Sequence, residues 1–227
     1  MGSTFLRRLK FYGIGFGLGL VFVFFFFQNR GCSWLPGNRV KNTILDRVMV
    51  VSDETIQAFE EKGLTKEIAF DALNDGDVLF TESDKNNDSK VYAVEYEGHK
   101  FLYTLPYESF VTEVKLGGDP NKMETSTTGM GTIWRFPVDE NLIYIDTSSV
   151  LDCQMKQLNL KDAKAVFKKI KASGKLDFER TDFDIEPKPE HVLVFTSDSL
   201  QVSVKTIWYK DKIEVLSFEF PSEVKCP

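Results

Sequence analysis

The feature that most constrains this chain is an uncharged run near its N-terminus, residues 11–27, which reads FYGIGFGLGLVFVFFFF. As a helix its seventeen residues would reach about 25 Å, against a bilayer hydrocarbon core of about 30 Å. Twelve of them are Phe, Ile, Leu or Val; each favours insertion by roughly 0.3 to 0.6 kcal/mol at a helix centre, about 4 to 7 kcal/mol in all. A transmembrane anchor is therefore expected over residues 11–28, behind a basic tail at 1–10. Arg7, Arg8 and Lys10 resemble the basic region of a signal peptide, but the exit Gln28-Asn29-Arg30-Gly31-Cys32 offers no small-x-small cleavage site. Lipidation of Cys32 would likewise want small or apolar residues where Asn29 and Arg30 stand, so a retained anchor is favoured. The denser basic cluster lies before the run, which points to an N-terminus inside and the remainder of the chain outside.

Gly13, Gly15, Gly17 and Gly19 give two overlapping small-xxx-small spacings. On a helix such spacings let a second helix backbone come close, so a homodimer through the anchor is one expected partner arrangement.

Charge is divided unevenly. The first 42 residues hold six basic and no acidic side chains, which leaves 22 basic against 34 acidic in the rest, a net charge of −12. Nucleic-acid affinity rests on phosphate neutralisation, so no nucleic-acid partner is expected. Cys32, Cys153 and Cys226 lack metal-ligand spacing, and the only histidines are His99 and His191. Cys153 with Cys226 is a possible disulfide.

After the anchor, residues 29–51 read as a juxtamembrane segment, with Trp34 suited to a lipid interface and Pro36-Gly37 breaking any continuing helix. A first module is expected over 52–116. Ser52 or Asp53 caps a helix ended by Gly63; Thr65 caps a second, ended by Asn74-Asp75-Gly76; strands follow at 78–81, 91–96, 100–105 and 110–116, with a Glu97-Gly98 turn. Residues 117–131, rich in Gly, Ser and Thr, read as a linker. A second module is expected over 132–227, with a hairpin of 133–136 and 142–145, a helix capped by Asn159 and ended by Gly174, and strands at 178–185, 192–196, 200–208 and 213–220. The fold class is thus α+β: one N-terminal transmembrane helix followed by two small helix-plus-antiparallel-sheet modules. The modules resemble each other. Gly76 with Asp84 matches Gly174 with Asp182, and the tight turn Glu97-Gly98 matches Ser197-Asp198, which suggests an internal repeat.

The helix at 53–62, the Lys62-Gly63-Leu64-Thr65 step, the second helix into Asn74-Asp75-Gly76-Asp77-Val78 and the strands after it resemble a small bacterial domain family of unknown function (family forty-two fifty-eight), distantly similar to RelE- and BrnT-type toxin ribonucleases. Cys32 and Asn38-Arg39-Val40 are similar to the juxtamembrane step of membrane-anchored members. The resemblance implies a bacterial inner-membrane, single-pass protein. Many relatives place a His and, four residues on, an Arg in the first helix; Glu54 and Ala58 occupy those positions here. A ribonuclease needs cations and a proton shuttle around the phosphate, which Glu54 and Ala58 do not supply.

Other chemistry is sparse. Asp84, Asn86, Asp88 and Glu95 fall at calcium-loop spacing, although Ser89 stands where that loop wants glycine and the flanks read as strands. Asp182, Asp184 and Glu186 alternate and would share one face of a strand, wet or cation-binding. His99 and His191 read as exposed polar residues without a nucleophile nearby in sequence. No cofactor is indicated. The expected function is a non-catalytic binding or interaction module at the cell envelope, with an unknown protein partner. The alternatives are a divergent nuclease-like enzyme, which would need a cleft gathering Arg47, Glu54, His99 or Tyr103, and a calcium or small-ligand sensor.

Overall fold

A computed structural model describes residues 2–30, 35–87, 89–137, 142–144, 148–209, 212–224 and 226; of residues 2–7, 25–30 and 142–144 it describes the backbone alone. The chain forms two compact units, Met1–Arg39 and Val40–Pro227.

The first unit is built on α1 (Gly2–Arg30). The stretch of it that is both uncharged and described in side chain, residues 11–24, is about 21 Å long, short of a hydrocarbon core of about 30 Å. Among the described residues no helix is long and apolar enough to cross a membrane. The expected transmembrane anchor, with the single-pass architecture and inner-membrane placement built on it, is corrected by that finding. The side chains of Phe25, Phe26 and Phe27, which completed the apolar run, lie outside the described residues, as do Cys32 and Trp34. The juxtamembrane reading also missed two elements, α2 (Pro36–Leu45) and β1 (Val48–Ser52). Pro36 opens α2 rather than breaking a helix, because the first helical position needs no N–H donor and proline's fixed φ suits it.

The second unit contains α3 (Asp53–Glu61), α4 (Lys66–Asp75), β2 (Asp77–Val78), β3 (Lys90–Tyr96), β4 (His99–Leu105), β5 (Val111–Leu116), β6 (Met130–Arg135), β7 (Leu142–Tyr144), α5 (Ser149–Gln157), α6 (Ala163–Ser173), β8 (Lys175–Asp182), β9 (Glu190–Ser197), β10 (Leu200–Trp208) and β11 (Ile213–Glu219). Among the described residues eleven strands join one sheet, in the order β2-β3-β4-β5-β1-β6-β8-β9-β10-β11-β7. Two separate modules are therefore not found, and the α+β class is realised as one mixed sheet.

The internal repeat is visible in the topology. Each half runs strand, helix, helix and four strands, and each returns its first strand to lie parallel to its last: β1 beside β5, β7 beside β11. Left to right, β2-β3-β4-β5-β1 is matched by β8-β9-β10-β11-β7. Both β1 and β8 pair antiparallel with β6 and so run alike, whereas β2, the counterpart of β8, runs opposite to β1 through its ladder. Keeping the order while reversing the direction is a half-turn about an axis across the strands, which also exchanges the faces of the sheet. The cores obey this. Met49 and Val51 of β1 join the core under α3 and α4, while Val48 and Val50 join the core under α5 and α6, as the alternation of a strand requires.

Local chemistry repeats as well. Ser52 caps α3 by accepting from the Thr55 N–H, and Ser148 caps α5 by accepting from the Leu151 N–H. Each first helix ends in a left-handed residue, Gly63 (φ +66) or Asn159 (φ +56), after which Leu64 or Leu160 donates back to the carbonyl of Phe59 or Met155. Asn159 is thus the joint between α5 and α6; Asp162 caps α6, through the Ala165 N–H. Each second helix stops at a glycine, Gly76 or Gly174, whose N–H donates to Ala72 or Ile170. Both hairpin turns are two residues at positive φ, Glu97-Gly98 and Asp198-Ser199.

The stretch expected to be a hairpin is divided: β6 fills the gap between the repeats and β7 lies at the far edge of the sheet; Ile145 is outside the described residues. Gly131 of β6 sits under Phe178, whose ring atoms would lie 2.8 Å from an added Cβ.

Candidate functional site

Helices cover opposite faces in the two repeats, so the face of the first repeat away from α3 and α4 needs another cover. The expected linker provides it as a strap. Met123 packs on the small cluster of Val91, Ala93 and Leu102. Thr125 donates to the Thr104 hydroxyl at 2.8 Å, and the fully buried Glu113 carboxylate accepts from the Ser126 N–H at 2.7 Å and its hydroxyl at 2.8 Å. A buried carboxylate held this way is costly to leave unpartnered, which pins the strap to the sheet.

Between the strap and the end of β8 lies a groove of about 760 Å³. Tyr107, Met123 and Phe183 give it apolar surface. Among the described residues its charged lining is Glu124, Glu179, Asp182 and Asp184 against a single cation, Arg180, which is already paired with Asp177 at 3.1 Å and Glu219 at 2.9 Å. The Asp182 carboxylate accepts from the Asp184 N–H at 2.9 Å, so the chain turns where β8 ends and both carboxylates stay in the groove. Glu186, expected on the same strand face, is exposed and outside it.

Beside the groove, Phe183 meets His191 edge-on with ring centroids 5.7 Å apart. His191 is buried, not exposed as the sequence suggested. It stacks on Trp208 at 4.6 Å, and its Nε2 lies 2.9 Å from the Ser109 hydroxyl, which also accepts from the Val111 N–H. Nδ1 is buried and has no hydrogen-bond partner among the described residues. Burial pushes the His191 pKa down to about 3. A Ser–His pair shut from solvent, with a neutral imidazole and, among the described residues, no third group to orient it, has the character of a packed contact rather than a nucleophile and base. The neighbouring Ser109 loop is fixed by Arg47, which donates to the Pro106 and Val111 carbonyls, and by the Lys188–Glu108 pair at 2.8 Å. Burial lowers the Arg47 pKa to about 10, and Lys188 holds that of Glu108 below its usual range.

The residues expected in a nuclease cleft are scattered. Arg47 precedes β1 and Glu54 follows its other end, about 17 Å away for five extended residues. His99 opens β4 and is half-buried, and the buried Tyr103 hydroxyl donates to the Ala69 carbonyl on α4. In the calcium-loop stretch, Asp84 accepts from the Asn86 N–H and stands opposite Val91. Glu95 lies four residues further along β3, about 13 Å from that point, so the strand separates the first and last expected ligands. Asp88 is outside the described residues. Among the described residues no group of three or more His, Cys, Asp or Glu is placed to hold a metal ion. Gly13, Gly15, Gly17 and Gly19 have nothing within 4 Å of an added Cβ.

The burial of His191 had a readable signal, since it alternates with Leu193 and Phe195 on β9. The pairing of Glu113 with Ser126 had none, because it depends on where the strap crosses the sheet. The site and fold describe an inverted tandem repeat of strand-helix-helix-four-strand units with an acidic groove under a strap. No protein-family model, curated protein or solved structure matches the chain.

Proposed function

We propose that the chain is a non-catalytic binding module that holds a positively charged, flexible segment of a partner protein in the groove between the strap and β8. The observation that carries this reading is the lining: among the described residues, four carboxylates face one arginine whose charge is already matched. Such a groove attracts cations and repels anions, and the chain's net charge of −12 beyond residue 42 adds a long-range field of the same sign. Tyr107, Met123 and Phe183 supply apolar surface for the stems of lysine or arginine side chains.

The test is a fluorescence titration of the full chain with a labelled lysine- and arginine-rich peptide, beside an acidic peptide of equal length. The basic peptide is expected to bind with an affinity that falls as salt rises. E179K/D184K is expected to weaken it by about tenfold, the scale of losing a favourable charge contact and gaining a repulsive one. Equal binding of both peptides, or an unchanged affinity in the double variant, would refute the proposal.

A further inference from the structure

The repeat points to a second interaction site, independent of the groove. In the first repeat the outer edge of β1 is occupied: β6 lies antiparallel against it, with Met49, Val50, Val51 and Ser52 paired to Arg135, Ile133, Thr132 and Gly131. The added strand does more than satisfy backbone groups. Its Trp134 packs edge-on against Phe59 of α3 at 5.2 Å, while Ile133 packs on the opposite core.

In the second repeat β7 holds the place of β1. It runs parallel to the last strand of its repeat, Leu142, Ile143 and Tyr144 pairing with Ile213, Glu214 and Val215, and it ends the sheet. Among the described residues no strand lies on its other side. An open edge of this kind presents unpaired N–H and C=O groups and is a template for one more strand. Met155 of α5 stands where Phe59 stands on α3, at the same step before the helix joint, and like Phe59 it is buried, so the surface that α5 offers lies beside it. Along α5, a groove of about 530 Å³ is lined by Ser149, Asp152, Cys153, Lys156 and Gln157, and Val150 is 43% exposed.

We infer that β7 accepts an extended segment of a partner protein as an antiparallel strand, one whose aromatic side chain packs on α5 as Trp134 packs on α3. The occupant is a partner segment and not a second β7. Pairing across the described β7 gives only three residue pairs, whereas stable association of two folded copies buries more than about 1,000 Å². A peptide strand gains affinity from main-chain bonds and specificity from alternate side chains.

The probe is a labelled peptide of residues 128–137, the segment that fills the equivalent edge in the first repeat, titrated into the full-length protein. Saturable binding is expected, with peptide-dependent amide protection at residues 142–144. Ile143→Pro, which removes a backbone donor from β7, should weaken binding about tenfold, the scale of one or two lost hydrogen bonds. A peptide with Ala in place of the Trp134 residue should also bind more weakly. Absence of saturable binding, protection at residues 49–52 instead of 142–144, or undiminished binding by the proline variant would each overturn the inference. Circular dichroism of the proline variant separates loss of the edge from loss of the fold, and the amide-protection map on the unmodified protein needs no variant at all.

Discussion

In the first repeat Gly63 makes the turn between the helices, Lys41 caps the second helix, and a strap covers the open sheet face. In the second repeat Asn159 makes the same turn, the carbonyl at the helix end accepts from a backbone N–H, and a disulfide joins Cys153 to Cys226. The backbone plan is shared and the means of holding it differ. Lys41 is buried on α2, and its ammonium donates to the Asn74 and Gly76 carbonyls at 2.9 and 3.1 Å, where the last carbonyls of α4 lack helical partners. The corresponding carbonyl of Gly174 accepts from the backbone N–H of Ile133 in β6. Each repeat thus recruits an element outside its own unit to finish the same helix end, α2 in one case and the inserted strand in the other. The shared plan is set by a few stereochemical needs, and the side chains that meet them can be exchanged.

The comparison breaks most strongly at the cross-link, which the first repeat does not have. Cys153 on α5 is bonded to Cys226 across 73 residues of chain. Closing a loop of that length in the unfolded chain stabilises the fold by about 4 kcal/mol in the chain-entropy account. C153S/C226S is expected to lose stability on that scale in chemical denaturation. Amide exchange should rise in α5 and α6 before it rises in α3 and α4, and simultaneous opening of both helix pairs would show that the repeats do not differ in this respect.

Next are the two helix-ending glycines. A Cβ on Gly76 would lie 2.5 Å from the Ala72 carbonyl oxygen and 2.7 Å from that of Glu95; on Gly174 it would lie 2.3 Å from the Ile170 oxygen, with side chains as its other neighbours. Two fixed carbonyls from different elements leave Gly76 less room to adjust. G76A is expected to cost about 3 kcal/mol and G174A about 2 kcal/mol. Thermal unfolding of both variants checks the order, and a larger loss at Gly174 would contradict the packing argument.

Much of the plan was legible because those needs leave marks in sequence. Gly63, Gly76, the Glu97-Gly98 turn and the alternating strands at residues 91–96, 192–196 and 200–208 stand where the sequence places them, and of the two cap candidates, Ser52 and Asp53, it is Ser52 that caps α3. The match of Gly76 with Gly174 stands as well. The misses have physical causes. α5 carries few apolar residues at helical spacing, since its buried side chains are Leu151 and Met155 alone. β1 was hidden by the assumption of a membrane-proximal segment, although its Val-Met-Val-Val core is the continuous apolar run of a strand buried on both faces. Residues 117–131 have a linker's composition, yet Glu113 and Thr104 supply polar anchors that only the folded sheet reveals. The groove unites residues from the strap, β8 and the loop after it, and such convergence is not encoded at any one place in the chain.

A smaller effect concerns pH. His191 on β9 is buried and neutral, whereas Lys90, its counterpart at the start of β3, is exposed. The folded-state pKa of His191 is about 3, below the ordinary value of 6.5, so the unfolded chain binds the proton first. Its stabilising contribution is complete above pH 6.5 and is lost as pH falls from there towards 3. The slope is about 1.4 kcal/mol per pH unit once the unfolded imidazole is protonated. Denaturant midpoints measured between pH 7 and pH 5 should fall for the native chain and fall less for H191Q. Parallel curves would remove the acid sensitivity from the second repeat.

The smallest effect is the exchange of the two helix joints. Gly63 and Asn159 both sit in the left-handed region, where glycine has no Cβ to clash and asparagine is the best tolerated of the other residues. If the repeats share a backbone at this point, each should accept the other's residue. Nothing lies within 4 Å of a Cβ built on Gly63, so G63N meets only the intrinsic cost of positive φ, under about 1 kcal/mol. N159G removes that cost but gives the unfolded chain more freedom, and it also deletes the 2.8 Å bond from the Asn159 amide to Asp198, leaving a net change of about 0.5 kcal/mol in either direction. G63V should cost more, because a β-branched side chain at positive φ clashes with its own backbone. Thermal midpoints of G63N and N159G close to that of the native chain, with G63V clearly lower, would establish that the joints are interchangeable. A loss in G63N as large as in G63V would mean that the first joint needs glycine itself, and that the likeness of the two repeats stops short of this turn.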